Sequence, residues 1–175
     1  MISAISLRIA TYLKNVDQEN TPSIEVMKYS LYIILHTLFT VCAITIVSFI
    51  LGKPFETFIG LIFFIALRLF GGGYHLHSSV WCTVLSVGLV SASPFLVLSD
   101  SASIVVTIAS VLIFLWQAPK NFKGYARIPE KYYPVMKVIT VIIGSANFIW
   151  NSSTLSAILL LQSILLLPKE KGGTS

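Results

Sequence analysis

Residues 29–51, YSLYIILHTLFTVCAITIVSFIL, decide the fold, because none of these residues is Asp, Glu, Lys or Arg. A transmembrane helix needs about 17–25 predominantly apolar residues, so this segment is long enough to cross a bilayer. The chain as a whole is similarly apolar. Of its 175 residues, 55% are hydrophobic and only 11% are charged, against about 25% charged in soluble domains. The composition therefore predicts a polytopic integral membrane protein.

Six apolar segments, separated by polar or turn-forming residues, predict an all-α fold of six transmembrane helices. The segments are residues 29–51, 55–67, 80–98, 104–116, 135–150 and 155–167. The second and the sixth have only about 13 residues, fewer than a typical span, so short or re-entrant helices are expected there. Together the segments are predicted to form a single membrane-embedded domain over residues 1–175.

Both ends of the chain and one loop are predicted to lie outside the spans. Within residues 1–20, apolar residues recur at helical spacing with Arg8 and Lys14 between them. This pattern predicts an amphipathic helix on the membrane surface, although a helix packed on the body of the protein fits it as well. Residues 119–134 are predicted to form a basic cytoplasmic loop, and residues 169–175 a disordered tail.

The positions of lysine and arginine predict the orientation in the membrane. If all six segments cross, eleven basic residues fall on one side and only Lys53 falls on the other. Because basic residues concentrate in cytoplasmic loops, both termini and the turn at residues 68–77 are predicted to be cytoplasmic. The net charge of +5 is then explained by topology and by contact with membrane lipid, so no nucleic-acid partner is expected.

The densest group of reactive side chains lies in residues 68–82, RLFGGGYHLHSSVWC. A cysteine and an imidazole are the pair that nucleophilic attack on a carbonyl requires, and Cys82 follows both His75 and His77. Local sequence leaves open which histidine would act as the base. Seven residues separate His75 from Cys82, or about 10.5 Å along a straight helix, so the chain has to bend between them.

The residues between the glycines and the cysteine provide for such a bend. Ser78 or Ser79 fits the N-cap of a helix that begins at Val80, which would put Cys82 in the first turn. The positive end of a helix and a nearby imidazolium both stabilise a thiolate. The glycines at 71–73 would let backbone amides approach a substrate and donate to an oxyanion.

Other interpretations of the same residues stay open. A cysteine in an apolar helix is commonly core filler, which is what we expect of Cys42. Arg68 at the end of a span can simply extend its charge to the interface. His75, His77 and Cys82 could bind zinc, but they supply three ligands without an obvious fourth. A non-catalytic membrane scaffold, a transporter component and a metal-binding membrane protein therefore remain alternatives.

A third group that would orient the histidine is not evident from the sequence. No acidic residue lies near residues 75–82 along the chain. Gln117 or Asn121, at the cytoplasmic end of the fourth segment, could take that role. The cysteine and the histidine could equally work as a pair.

The spacing Arg68-x4-Gly73-x-His75-x6-Cys82 resembles the signature of the accessory gene regulator B family. Members of that family are membrane cysteine endopeptidases that process quorum-sensing peptide precursors in the cell membrane of Gram-positive bacteria. The resemblance implies that Cys82 is the nucleophile and that His75, rather than His77, is its partner. It further implies that Arg68 and Gly73 are supporting positions and that no metal or other cofactor takes part.

The same resemblance implies a substrate. The expected precursor peptide has an amphipathic N-terminal helix and an acidic C-terminal segment, and an acyl-thioester on the enzyme cysteine leads to its cyclisation into an autoinducing peptide. Basic residues would bind the acidic segment: Lys120, Lys123, Arg127, Lys131 and Lys137. Orientation in the membrane is the simpler explanation of these charges. Dimerisation fits the family, although no Gly-x3-Gly motif in a span supports a homodimer.

Overall fold

The computed structural model describes residues 2–74, 79–120 and 129–168, and no strand occurs within these ranges. The helices found there are α1 (Ile2–Val16), α2 (Ile24–Ile50), α3 (Pro54–Gly71), α4 (Ser79–Ala92), α5 (Asp100–Gln117), α6 (Tyr133–Ser145), α7 (Asn147–Trp150) and α8 (Ser153–Leu166). Short 3-10 turns follow α4 and precede α6. The predicted all-α fold is confirmed.

Four stretches of helix are long and apolar enough to cross a membrane, namely Ile24–Ile50, Pro54–Gly71, Asp100–Gln117 and Glu130–Trp150. The second predicted segment is therefore longer than expected. Its helix begins with Pro54 in the first turn and ends only where Gly72 takes a φ of +75°. Two shorter apolar helices, Val80–Phe95 and Ser153–Leu166, complete the six segments, while six crossings stay a prediction.

The chain divides into two compact units, Met1–Ile46 and Val47–Ser175. In the first unit, α1 exposes large apolar side chains and buries small ones: Ile5, Leu7, Tyr12, Leu13 and Val16 are exposed, whereas Ser6 and Ala10 are buried. The exposed apolar side chains leave α1 suited to lie against lipid. Its location at the membrane surface stays a prediction.

A polar turn joins α1 to α2. The Lys14 ammonium donates to the carbonyl oxygens of Gln18 at 2.6 Å and Thr21 at 2.8 Å, close to the end of α1. In the same turn, the backbone N–H of Asn20 donates to the Asp17 carboxylate at 3.0 Å. This bond holds the pKa of Asp17 below its ordinary value. Hydrogen bonds among its own residues and from Lys14 thus hold the turn in place.

In the second unit, α5 and α8 run in the same direction. At their beginnings, the Ser153 hydroxyl accepts from the Leu98 N–H and donates to the Leu98 carbonyl oxygen, both at 3.2 Å. Just past their ends, the Lys120 ammonium donates to the Leu167 carbonyl oxygen at 3.0 Å. The two helices are therefore joined at both ends.

Helix α6 runs antiparallel to α5. Gly144, near the end of α6, lies so close to the Phe114 ring that an added Cβ would be 3.0 Å from two ring carbons. Asn147, one turn further along the chain, donates to Thr107, which precedes Phe114 by two turns of α5. Contacts thus move backward along α5 as α6 advances, so α5, α6 and α8 alternate in direction.

A buried polar network joins α5, α7 and α8. The Asn147 Nδ2 donates to the Thr107 hydroxyl at 2.9 Å and to the Ser156 hydroxyl at 2.8 Å. Ser156 also shares a 2.6 Å bond with Ser103. The Asn147 Oδ1 accepts from the backbone N–H of Ser152 at 3.0 Å. Small polar side chains and interhelical hydrogen bonds are the usual means of holding helices together in a bilayer.

Removing the Asn147 carboxamide should loosen this junction. Asn147→Ala is expected to lower the free energy of unfolding by about 1–2 kcal/mol, since three hydrogen bonds are lost. The measurement is unfolding of the purified protein by SDS in mixed micelles. Ser101→Ala, at an exposed site in α5, is the matched control and should leave the midpoint unchanged. Equal midpoints for the two variants would contradict a stabilising role for the network.

Candidate active site

Residues 71–74, here called the glycine strap, comprise the last residue of α3 and the three non-helical residues that follow it. Gly72 has a φ of +75° and Gly73 a φ of +138°, which glycine adopts readily and other residues rarely do. The Lys120 N–H donates to the Gly71 carbonyl oxygen at 3.1 Å, and the Gly73 N–H donates to the Lys120 carbonyl oxygen at 3.3 Å. The strap is thus paired with the chain just after α5.

Side chains and backbone from α3 and α8 hold the other polar groups of the strap. The Arg68 Nη2 donates to the Tyr74 carbonyl oxygen at 2.9 Å. From α8, the Leu165 carbonyl oxygen accepts from the Tyr74 N–H at 2.8 Å. The Gln162 Nε2 donates to the Gly72 carbonyl oxygen at 2.6 Å. The ends of α3, α5 and α8 are therefore all bonded to the four residues of the strap.

The arrangement gives Arg68 and Gly73 physical roles. The Arg68 guanidinium also lies 5.9 Å from the centroid of the Phe64 ring, so it is held within the bundle as well as bonded to the strap. A Cβ added at Gly73 would lie 3.3 Å from the Arg68 Nη1 and 3.4 Å from the Gln162 Nε2. Glycine is needed at 73 for its backbone conformation and for the space that the other two side chains occupy.

The prediction that the glycine amides donate to an oxyanion is wrong for Gly72 and Gly73. The N–H of Gly72 donates to the Arg68 carbonyl oxygen at 3.2 Å, and that of Gly73 is bonded to Lys120. Non-helical backbone inside an apolar bundle has to satisfy its own polar groups, because no water is there to do so. The glycines therefore shape the strap and leave these amides engaged.

Cys82 lies in the first turn of α4, as predicted, and its side chain is half-buried with a free thiol. The other cysteine, Cys42, is also free but is exposed on α2, so the expectation that it fills the core is wrong. His75, His77 and Ser78 fall outside the described residues. The pairing of a histidine with Cys82 accordingly stays a prediction.

Of the basic residues predicted to bind substrate, Lys120 has internal partners. Its ammonium donates to the Gln117 Oε1 at 2.8 Å and to the Leu167 carbonyl oxygen. Lys131 is exposed, with its ammonium 4.9 Å from the Tyr132 ring centroid, and Lys137 is half-buried in α6. Two further predicted residues, Lys123 and Arg127, lie outside the described residues, as does Asn121.

Gln162 is the residue of this site that the sequence did not reveal. It is fully buried in α8 and is 90 positions from its partner in the strap. The available signal in the sequence was the single carboxamide within the apolar run AILLLQSILLL. A carboxamide is costly to bury without a hydrogen-bond partner. Gln117, predicted as an orienting group, accepts from Lys120, and its role toward the histidine stays a prediction.

The described residues contain no cluster of three or more His, Cys, Asp and Glu side chains that could hold a metal ion. The zinc site considered from the sequence depends on His75 and His77, which are not described. That alternative therefore stays open.

Adding a methyl group to the strap should destabilise the protein. Gly73→Ala is expected to lower the free energy of unfolding by about 1–3 kcal/mol, because alanine is strained at this φ and its Cβ would press on Arg68 and Gln162. Unfolding in SDS measures the change. In Gly88→Ala, the control in α4, the new Cβ meets nothing within 4 Å. Unchanged stability in Gly73→Ala would contradict the tight fit of the strap.

Comparison with known proteins places this sequence in a family. The profile described as AgrB, accessory gene regulator B, matches residues 6–167. An AgrB-like protein of Halalkalibacterium halodurans is 24% identical over 173 residues, which cover 96% of this chain and 88% of that protein. Protein FsrB of Enterococcus faecalis is 32% identical over 119 residues, covering 62% of this chain and 49% of FsrB. No solved structure gives a significant match. The chain belongs to the accessory gene regulator B family.

Proposed function

We propose that this protein is a membrane cysteine endopeptidase that cleaves a quorum-sensing peptide precursor at the cytoplasmic face of a bacterial cell membrane. Membership of the AgrB family and likeness to FsrB support a role in processing such a peptide. The observation that carries the proposal is the glycine strap, whose last residue, Tyr74, is bonded through both its N–H and its carbonyl oxygen. His75 follows Tyr74 directly in the chain.

The proposed first step is acyl transfer to Cys82. His75 takes the proton from the thiol, and the thiolate sulfur attacks the carbonyl carbon of the scissile peptide bond. As the C–N bond breaks, the departing amine takes the proton from the imidazolium, and the N-terminal part of the precursor remains on the sulfur as a thioester. The position of Cys82 in the first turn of α4 supports this step, since the positive end of a helix favours an anionic nucleophile.

The proposed second step closes a ring. A thiol or hydroxyl within the bound precursor attacks the thioester carbonyl and loses its proton to His75, and the Cys82 thiolate departs. The new bond is a thioester or an ester, so much of the bond energy is kept in the product. Water would hydrolyse the intermediate, and a site at the boundary of the apolar region helps exclude it. The large exposed apolar side chains beside Cys82, Val80 and Trp81, support such a location.

The distribution of charge supports a cytoplasmic position for the site. In the described part of the second unit, basic residues gather where α3 and α5 end and α6 begins: Arg68, Lys120, Lys131 and Lys137. The opposite end carries Lys53, paired with Glu56 at 3.4 Å, and Asp100. Since basic residues mark the cytoplasmic side, we place the glycine strap and both chain termini there.

Binding of an acidic segment of the precursor is proposed for the basic residues after α5. Lys131 is exposed and so is available to a carboxylate of the substrate. The ammonium of Lys120 has two partners within the protein, and we assign it chiefly to fastening the end of α5 to that of α8. Lys123, Arg127 and Lys137 complete the proposed docking set.

The nucleophile is tested by comparing the two cysteines. Cys82→Ala is expected to reduce precursor cleavage to the level of precursor alone, because no other side chain would form the thioester. Cys42→Ala should cleave like wild type, since that thiol lies on α2. The measurement is mass spectrometry of the C-terminal fragment released in proteoliposomes. Cleavage by Cys82→Ala at the wild-type rate would refute the proposed site, and the scaffold interpretation would regain support.

The docking residues are tested by neutralising two described lysines. In the Lys131→Gln/Lys137→Gln double variant, the substrate concentration for half-maximal cleavage should rise about two- to tenfold, as expected for exposed ion pairs. The maximal rate should change little, and added salt should weaken the wild type more than the variant. Lys53→Gln, at the opposite end, is the control. A loss of maximal rate with unchanged half-saturation would contradict a docking role.

A further inference from the structure

Gln162 is held in one orientation by the strap. Its side chain is fully buried in α8, and its Nε2 lies 2.6 Å from the Gly72 carbonyl oxygen. A carbonyl oxygen only accepts hydrogen bonds, so the donor end of the carboxamide has to face Gly72. The bond is short and joins positions that are 90 residues apart.

The acceptor oxygen of the same carboxamide lowers the stability of the fold. The Gln162 Oε1 is buried and has no hydrogen-bond partner among the described residues. A buried acceptor without a donor loses the hydrogen bonds that water would have supplied. Stability alone would favour an apolar residue at this position in an apolar helix, so the carboxamide calls for a separate explanation.

Within the described residues, Gln162 supplies a side-chain hydrogen bond to the Gly72 carbonyl oxygen at the middle of the strap. Arg68 and Leu165 hold Tyr74, and Lys120 pairs with Gly71 and Gly73 through its backbone. The Gly72 carbonyl oxygen is held by Gln162. Gly72 and Gly73 have no side chains and accept many backbone conformations, so the carboxamide limits which of them the strap adopts.

We propose that Gln162 is a positioning residue that fixes the Gly72 peptide and thereby the conformation of the strap, after which His75 is the next residue in the chain. This inference rests on the proposed function, because it assigns Gln162 to the same Cys82 and His75 reaction. Gln162 acts through the strap and does not touch the substrate. Its loss should slow formation of the thioester while leaving substrate binding and overall stability nearly unchanged.

Gln162→Met is the first test, because methionine has a similar length and volume without the donor. The Gly72 carbonyl loses its partner in this variant, but the unpaired Oε1 is removed as well, so the two effects on stability offset each other. The rate of thioester formation at saturating precursor is expected to fall at least tenfold. The half-saturating precursor concentration should stay within twofold of wild type, and the unfolding midpoint in SDS should shift little.

Two further variants keep the test decisive. Ser163→Ala removes a buried hydroxyl one position along α8 that donates to the Leu160 carbonyl oxygen, and it should keep the wild-type rate. If Gln162→Met does not fold, Gln162→Asn serves instead, because it keeps a polar amide but withdraws it from Gly72 by one methylene. The same selective loss of rate is expected.

The outcomes separate this inference from the proposed function. A wild-type rate in a folded Gln162 variant, with Cys82→Ala inactive, overturns the positioning role alone. A higher half-saturating precursor concentration at an unchanged rate of thioester formation would identify Gln162 as a substrate-binding residue. That result also overturns the positioning role. A loss of rate that is matched by a large loss of stability shows a purely structural role, which contradicts the inference. Cleavage by Cys82→Ala overturns the proposed function itself.

Discussion

The structure depends on one constraint: non-helical backbone inside an apolar bundle has to find its hydrogen-bond partners within the protein. The chain meets this constraint where α3 ends. The Arg68 guanidinium, the Lys120 backbone and the Gln162 carboxamide bond the residues of the glycine strap. Each of these partners comes from a different part of the chain, so satisfying the strap also draws the ends of α3, α5 and α8 together.

A second polar contact holds the same bundle nearer its other end. There Asn147 bonds side chains of α5 and α8, and Ser153 bonds the backbone before α5. With two polar contacts at different depths, neighbouring helices cannot easily slide or rotate past one another. Hydrophobic burial is a weak guide to helix packing in lipid, so such contacts set the arrangement. The stable bundle then presents Cys82 at the start of α4, close along the chain to the strap.

The sequence was sufficient for features that depend on nearby residues. Hydrophobic runs and their Gly and Pro breaks predicted the helical segments, and a serine before Val80 predicted the first-turn position of Cys82. Features that depend on distant residues were not predictable. The bond from Gln162 to Gly72 spans 90 positions, and the bond from Lys120 to the Leu167 carbonyl oxygen exists only because α5 and α8 end side by side. The Gly73 amide was misassigned for the same reason, since it donates to the distant Lys120 carbonyl oxygen.

The most direct measurement is to locate the thioester. Wild-type protein in proteoliposomes would be mixed with precursor, quenched in acid and digested, and mass spectrometry would identify the peptide that carries the N-terminal precursor fragment. The account predicts an adduct on the peptide that contains Cys82, removable by hydroxylamine and absent from Cys82→Ala. Release of the C-terminal fragment with an adduct on another residue, or with none under conditions that trap thioesters, would contradict it.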